Sequence, residues 1–556
     1  MNDKTLTFPA RRLAIMAIIF IGFAVYLPKI GNGFIFDDQV FIQGDESIRS
    51  ISNIPSFFLT DQSRLYRPIR SAIYSLVYAL FNYQTPAYHL AGITFHIIIS
   101  VSFFLILEYL GLPPLITIIA ALVFAVHPLH SDRVVNITGS FDLAGLALAY
   151  AGMAIALGPS GIFKTILSSL LFALGLFGSE EAATIPLLIV ACSLPYRKKD
   201  VLKVTSIRTC IFFVLLAFYL TARFLVLKGV TRVAEYPAGG LWNSIVTTAP
   251  MFFMYLGKSI IPFGLRPDYG VILRHGADLH GLIALAGLAA LAITCIAAVR
   301  RAPAIYFAGV FFFIGLLPFS NLLPTDTIAA ERYFYHGLAG PSIFIGVLFA
   351  YGLPKDKKRM RLYLILSCVV LFLFGALTIN RTRIWSSAYT LWDDAAKKDP
   401  YSYLARLNRG NELQLQGKLL EAQTDHIAAK SLRPNLIAAK IALGGDLVFL
   451  GKLKEAEEEF YQALKLDPAS ADAAISIAQV KVISKDYDNA LRIALKLYQS
   501  GDHRVAVLNV LGYISAQTNH ISEAKKYYEE ILRVSGNEED KKQARHNIDA
   551  ISEMQN

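Results

Sequence analysis

The sequence predicts an all-α protein in two parts, a polytopic membrane domain over 1–380 and an α-solenoid over 381–556. Three observations carry this. The 556 residues are 54% hydrophobic and 17% charged, too apolar for a soluble chain of this size. The polarity breaks near Asn380, with apolar runs before it and an Ala-, Lys- and Glu-rich tail after it. That tail repeats itself with a period of 34.

The first apolar segment, residues 13–27, can cross most of a bilayer if its flanks contribute. It lacks a small-x-small cleavage site and runs into Pro28-Lys29, so it reads as an uncleaved anchor. Asp37 and Asp38 follow directly, and a polar stretch continues to about Tyr83. Apolar runs come next at 88–107, 114–126, 141–157, 162–178, 182–195, 207–227, 281–298, 304–319, 338–353 and 362–379, making about eleven spans with the first. Basic clusters at Arg197-Lys198-Lys199, Arg300-Arg301 and Lys355 to Arg361 follow spans six, eight and ten, and Arg11-Arg12 precedes span one. The positive-inside bias puts all four on the cytoplasmic side, with the N-terminus. The stretch 241–263 would break that parity as a span, so it is expected to be interfacial or re-entrant. The parity then places Asp37-Asp38, His127 to Asp142, Glu180-Glu181, Glu331-Arg332 and the whole tail on the outer face.

The net charge of +11 sits largely in these short clusters, so it reports topology rather than nucleic-acid binding. A transporter would more often hold its ionisable groups at mid-membrane; here they gather at one rim. Cys192, Cys210, Cys295 and Cys368 lie in or beside apolar runs with no metal-ligand or disulfide spacing, and are expected to pack between helices.

In the tail, Pro400, Pro434 and Pro468 keep the period, as do Gly410, Gly444, Ala478 and Gly512, and Ala422, Ala456, Ala490 and Ala524. Gly417-Lys418 and Gly451-Lys452 mark turns between paired helices. This is the tetratricopeptide pattern, with small residues where two helices cross and Pro where a unit begins. Residues 384–399 read as a joining half-repeat and 538–553 as a solvating cap helix. Such arrays bind extended peptides or protein surfaces, and no acid or histidine cluster of catalytic type is visible in this one.

The chemistry collects at the outer rim. An isolated Asp-Asp would pass as a solvated turn, but Asp37-Asp38 ends a membrane span, where unpaired charge is costly. His127-Pro128-Leu129-His130 with Asp132 could ligate a metal or present hydrogen-bonding groups to a sugar or phosphate; no second ligand cluster accompanies it. Tyr66-Arg67-Pro68 and Glu331-Arg332-Tyr333 each put a guanidinium at the surface, suited to gripping phosphate or to snorkelling among lipid headgroups.

These pieces in this order, Phe36-Asp37-Asp38, Tyr66-Arg67-Pro68, Tyr88-His89-Leu90 with His96, Phe124 to His130, Gly139 with Asp142-Leu143, Ser179-Glu180, Ser320 to Pro324, Glu331-Arg332 and Asn380-Arg381-Thr382-Arg383-x-Trp385 before the repeats, resemble the transmembrane and tetratricopeptide-repeat O-mannosyltransferases. The resemblance spans nearly the whole chain. It implies a GT-C glycosyltransferase that transfers a sugar from a polyprenyl-phosphate donor to Ser or Thr hydroxyls outside the cytoplasm, inverting the anomeric carbon, with no cofactor or metal required. By it, Asp37 or Asp38 is the base, with Asp37 slightly favoured. Arg67, Arg332, His127 and His130 would hold the donor phosphate, and Tyr66, His89, Asp132, Asp142, Glu180 and Glu331 would support the site.

Two departures stand out. Gly139-Ser140 replaces the family's Gly-Arg, and Gly178-Ser179-Glu180 replaces its Ser-Lys-Glu, each removing a positive charge near the expected site. The expected partners are the lipid-linked donor, membrane lipids and a protein acceptor bound by the repeats. Short loops favour a bacterial inner membrane. A non-enzymatic scaffold for envelope assembly, or a transferase acting on lipid or polysaccharide, would share most of these features.

Overall fold

A computed structural model describes residues 6–60, 65–196, 199–228, 236, 238–325, 327–351, 357–535 and 538–553. Every regular element among them is helical. Arg197, Lys198, Lys355 and Asp356, parts of two clusters that set the expected topology, lie outside the described residues. The chain divides into two compact units, Met1–Ile42 with Ser47–Ser387, and Gln43–Glu46 with Ala388–Asn556. The expected join at 380 falls inside a helix, Lys357–Ile384.

The first unit contains α1 (Phe8–Tyr26), α2 (Pro68–Phe81), α3 (Thr85–Tyr109), α4 (Pro114–Val126), α5 (Ser131–Val135), α6 (Ile137–Leu157), α7 (Ile162–Leu176), α8 (Ile185–Ser193), α9 (Lys199–Leu227), α10 (Leu241–Ile260), α11 (Leu279–Ala297), α12 (Pro303–Leu316), α13 (Ala339–Tyr351) and α14 (Lys357–Ile384). Among the described residues six helices, α1, α3, α6, α9, α11 and α14, are long and apolar enough to cross a membrane, and α4 with the chain to Val135 makes a seventh bent by 44°. The protein is an integral membrane protein on this ground. The bend has a local cause: His127 precedes Pro128, which steers it out of the helical region to φ −70°, ψ 130°. Proline also opens α1, α3, α4 and α12, where its missing N–H costs nothing.

Two expectations need correction. The stretch to Tyr83 is not merely polar: it holds α2, a 14-residue helix that buries Arg70 and Tyr74 and exposes Leu76, Leu80 and Phe81. It escapes a search for spans because it is short and interrupted by arginine. Cys192 and Cys295 pack inward, but Cys210 and Cys368 are exposed on their helices.

α10 buries polar residues beside Phe252 and Tyr255 and leaves large apolar ones exposed. Ser244, Thr247, Thr248 and Ser259 are buried, whereas Trp242, Phe253 and Ile260 are exposed. Thr248 accepts a hydrogen bond from Asn321, just beyond α12, and the Ser259 carbonyl meets His127, just beyond α4. The middle and the C-terminal end of α10 are thus tied to the segments beyond α12 and α4.

Close approach of α6 and α7 sets the neighbourhood of Asp142. A Cβ on Gly152 would stand 2.9 Å from the Ser168 carbonyl oxygen, and one on Gly178 would stand 2.6 Å from the Gly145 Cα. Small residues let backbones meet where lipid supplies no hydrophobic drive between helices.

The second unit is α15 (Ala388–Lys398), α16 (Tyr403–Leu415), α17 (Leu419–Leu432), α18 (Ile437–Phe449), α19 (Leu453–Leu466), α20 (Ala471–Ile483), α21 (Tyr487–Gln499), α22 (Val505–Gln517), α23 (Ile521–Val534) and α24 (Glu538–Glu553). At three of the helix crossings, size is traded across the pair. Gly410 faces the His426 ring, Gly444 faces Phe460 and Gly512 faces Tyr528, with Tyr528 Cε1 2.8 Å from where a Gly512 Cβ would sit. Ala478 and Ala494, in the corresponding places, are both small and buried. The inter-helix turns need a left-handed residue: Gly417 (φ 75°), Gly451 (76°), Lys485 (59°) and Asn519 (63°) keep the period. The repeats also hold an acid–histidine pair that the sequence did not reveal. His426 Nδ1 lies 2.5 Å from Asp446 Oδ2, and its Nε2 meets Asn411 at 3.1 Å. The pair is fully buried, so it packs the array rather than facing a substrate.

Candidate functional site

The acidic pair beyond α1 divides into two roles. Asp38 is buried, and its Oδ1 accepts from the Thr138 N–H and hydroxyl, both at 2.7 Å. Its Oδ2 accepts from the Ile35 N–H at 3.2 Å. Burial pushes its carboxyl up to about 6 against the pull of those bonds. Asp37 is half-buried, and among the described residues no hydrogen bond or ion pair engages its carboxylate. Its proton affinity is raised, first by burial; Asp132 and Asp142 push the same way, while Arg332 and Arg70 oppose them. Those four residues come from four different segments, so the fold gathers them around Asp37.

Arg332 is the accessible cation of this group, with 29% of its side chain exposed. Its guanidinium lies 3.8 Å from Asp132 Oδ2, its backbone N–H donates to the same oxygen at 3.1 Å, and its side chain leans over the Tyr333 ring. The neighbouring Glu331 turns the other way. It is buried, accepts from the Tyr269 hydroxyl at 2.8 Å and from the Arg266 N–H, and pairs with Arg381 at 3.3 Å. Burial raises its carboxyl to about 7, with Arg381 opposing. Glu331 therefore anchors the segment that carries Arg332.

Arg67 is already engaged. Its Nε donates to Glu180 at 2.7 Å and its other arm meets Asp142 at 2.7 Å. Asp142 also binds Arg70 at 3.0 Å and lies 3.7 Å from Arg133, which pairs with Glu181. Glu180 is shared with Arg223 at 2.9 Å; burial would raise its carboxyl, but Arg67 and Arg223 bring it down to about 2. Four arginines and three acids form one ion-paired lattice beside Asp37, buried at Arg70, Arg133, Asp142 and Glu181.

The three histidines assigned to the site from the sequence are buried. His127 Nδ1 accepts from the Leu129 N–H at 3.2 Å and its Nε2 donates to the Ser259 carbonyl at 3.0 Å, leaving no free nitrogen for a phosphate. His130 is buried among Phe124, His96 and Tyr335, with ring centroids 4.2 Å apart in the last case. His89 meets the Asn32 carbonyl at 3.1 Å, and the Tyr66 hydroxyl donates to the Phe58 carbonyl at 3.0 Å. Among the described residues no group of three His, Cys, Asp or Glu side chains could hold a metal.

Sequence reasoning assigned no site role to Lys29, Arg70, Arg133, Glu181 or Arg223. Each lies in or beside an apolar run, and nothing in the sequence marks the distant partner that the fold places against it. Two of them revise the expected loss of positive charge. Glu180 is held by Arg67 and Arg223 without a local lysine. Ser140 packs against Gly92, and the Lys29 ammonium would lie 3.2 Å from a Gly92 Cβ.

Comparison with known proteins adds a partial likeness. A tetratricopeptide repeat model matches residues 447–470 and 505–538. The protein O-mannosyl-transferase TMTC3 of Homo sapiens is 29% identical over 139 residues, 23% of this chain and 15% of that protein. A protein O-mannosyl-transferase of Caenorhabditis elegans is 28% identical over 142 residues, 23% of this chain and 21% of its own length. The matched part is thus a small fraction of these relatives. The crystal structure of ArnT from Cupriavidus metallidurans bound to undecaprenyl phosphate covers 85% of this chain and 81% of its own at 14% identity, with a TM-score of 0.38, too low to bear on the fold. The chain resembles the transmembrane, tetratricopeptide-repeat protein O-mannosyl-transferases in part of its sequence and in its repeats.

Proposed function

We propose that the first unit is a GT-C-type glycosyltransferase that moves a mannose-like hexose from a polyprenyl-phosphate donor to Ser or Thr hydroxyls of proteins outside the cytoplasm. The observation that carries this reading is the unengaged Asp37 carboxylate beside the accessible Arg332. Asp37 takes the proton of the acceptor hydroxyl as its oxygen attacks the anomeric carbon. The bond from that carbon to the phosphate oxygen breaks, the lipid phosphate leaves with the electron pair, and the configuration inverts. Burial and like charge support Asp37 as the base by raising its proton affinity. Arg332 faces the developing phosphate charge. Arg67, expected to share that grip, instead orders Asp142 and Glu180, so in this scheme it shapes the site from behind.

In the same proposal the bundle crosses a bacterial inner membrane eleven times, with α2 and α10 at its outer surface, the N-terminus cytoplasmic and the repeats outside. The repeats recruit the acceptor. The test is transfer by the reconstituted full chain from polyprenyl-phosphate mannose to Ser/Thr peptides, read by mass spectrometry. Transfer by the native chain but not by Asp37→Asn is expected. Normal transfer by Asp37→Asn would remove this site, and rescue of a null strain by exported residues 381–556 would replace the enzyme with a scaffold.

A further inference from the structure

We infer that Lys29 and the Asp38–Thr138 contact are positioning elements, holding the corner between α5 and α6 so that Asp132 and Asp142 stand in register with Asp37. The inference rests on the reaction proposed above and names how its site is kept in place.

The corner is a break in the helix. α5 ends at Val135, Asn136 is extended at φ −63°, ψ 127°, and α6 starts at Ile137. A break leaves carbonyls on one side and N–H groups on the other without helical partners. Here side chains meet them. The Lys29 ammonium donates to the Val134 carbonyl, Asp38 accepts from the Thr138 N–H, and Asn136 accepts from the Gly139 N–H at 3.0 Å. The Asp38 charge also suits the positive end of the 21-residue α6.

Lys29 is completely buried, so it does not snorkel to water. A buried ammonium and a buried carboxylate are costly, and an apolar pair could pack as well. What the polar pair adds is direction. Two side chains from the first 38 residues grip both sides of a corner that carries Asp132, Arg133 and Asp142. Asp132 in turn orients Arg332, and Asp142 orients Arg67 and Arg70. Asp37 is one peptide bond from Asp38. Anchoring Asp38 to α6 therefore ties the proposed base to the acids and arginines that surround it.

The test uses the reconstituted full chain and three variants. Thr138→Val keeps the side-chain shape and removes the hydroxyl bond to Asp38, Thr138→Ser keeps that bond, and Lys29→Met removes the ammonium. Thr138→Val and Lys29→Met are expected to lower kcat about tenfold or more, since small misplacements of reacting groups are costly, with KM for donor and acceptor nearly unchanged. Thr138→Ser should restore kcat. A normal kcat for Thr138→Val, or a Thr138→Ser variant that fails to restore kcat, would overturn the inference. If Lys29→Met does not fold, the Thr138 pair decides it. Should Asp37→Asn itself transfer normally, the reaction site falls. Should Asp37→Asn be dead and Thr138→Val normal, only the positioning role falls.

Discussion

The membrane unit and the repeat unit both bury charge and both rely on glycine, but over different distances along the chain. In the repeats, partners are close: His426 lies 20 residues from Asp446, and each crossing glycine faces a ring in the next helix. In the membrane unit, the contacts that define the site join residues 72, 113 and 200 apart, Arg70 with Asp142, Arg67 with Glu180 and Arg332 with Asp132. A repeating fold makes the same local bargain several times, so its packing shows as a period. A site is assembled once, from whichever helix ends happen to meet.

The largest effect that would sharpen this contrast is at Asp37. Asp37→Asn should lower transfer about 10²–10⁴-fold without loss of donor binding, the usual contribution of a general base. His426→Phe, which gives the first repeat the ring that Gly444 already faces at Phe460, should leave the chemical step unchanged. A catalytic defect in His426→Phe would break the division between the two units.

Stability comes next. Asp142→Leu would leave Arg67, Arg70 and Arg133 without the carboxylate that they share. Losing one partner of a buried ion pair costs roughly 3–5 kcal/mol, read as a lower melting temperature in detergent. In the repeats, Gly444→Ala drives a methyl into the Phe460 ring and should cost about 1–3 kcal/mol, partly recovered by Phe460→Leu. A full recovery in the repeats with no comparable rescue of Asp142→Leu would mark the difference between an exchange of volumes and a web of charges.

The smallest effect is one of pH. The proton affinity of Asp37 is raised by burial and by Asp132 and Asp142, and lowered by Arg332. A base must be deprotonated, so kcat/KM should rise with pH along a limb lying above that of an ordinary aspartate. Arg332→Gln removes the opposing cation, and the limb should move to higher pH. Movement to lower pH would mean that another group titrates.

The solenoid was legible because repetition averages out local accident: the period of small residues and prolines predicted helix pairs that the structure contains, and 538–553 as a last helix matches α24. The candidate spans were legible as apolar runs, whereas α2, which is short and broken by arginine, was not. Asp37 and Asp38 could be singled out by position, since a carboxylate pair at the end of a span is unusual. Their roles could not be separated, because the distinction lies in Thr138, which is a hundred residues away. Likewise Arg67 and Arg332 look alike in sequence, and only the placement of Glu180 and Asp142 shows that one is enclosed while the other is accessible. Hydropathy and period are properties of a segment and survive without knowledge of neighbours, so the sequence by itself determined the helical class, the membrane character and the repeats. Whether a charge is engaged or available depends on what the fold brings within a few ångströms, and that was decided by the tertiary structure alone.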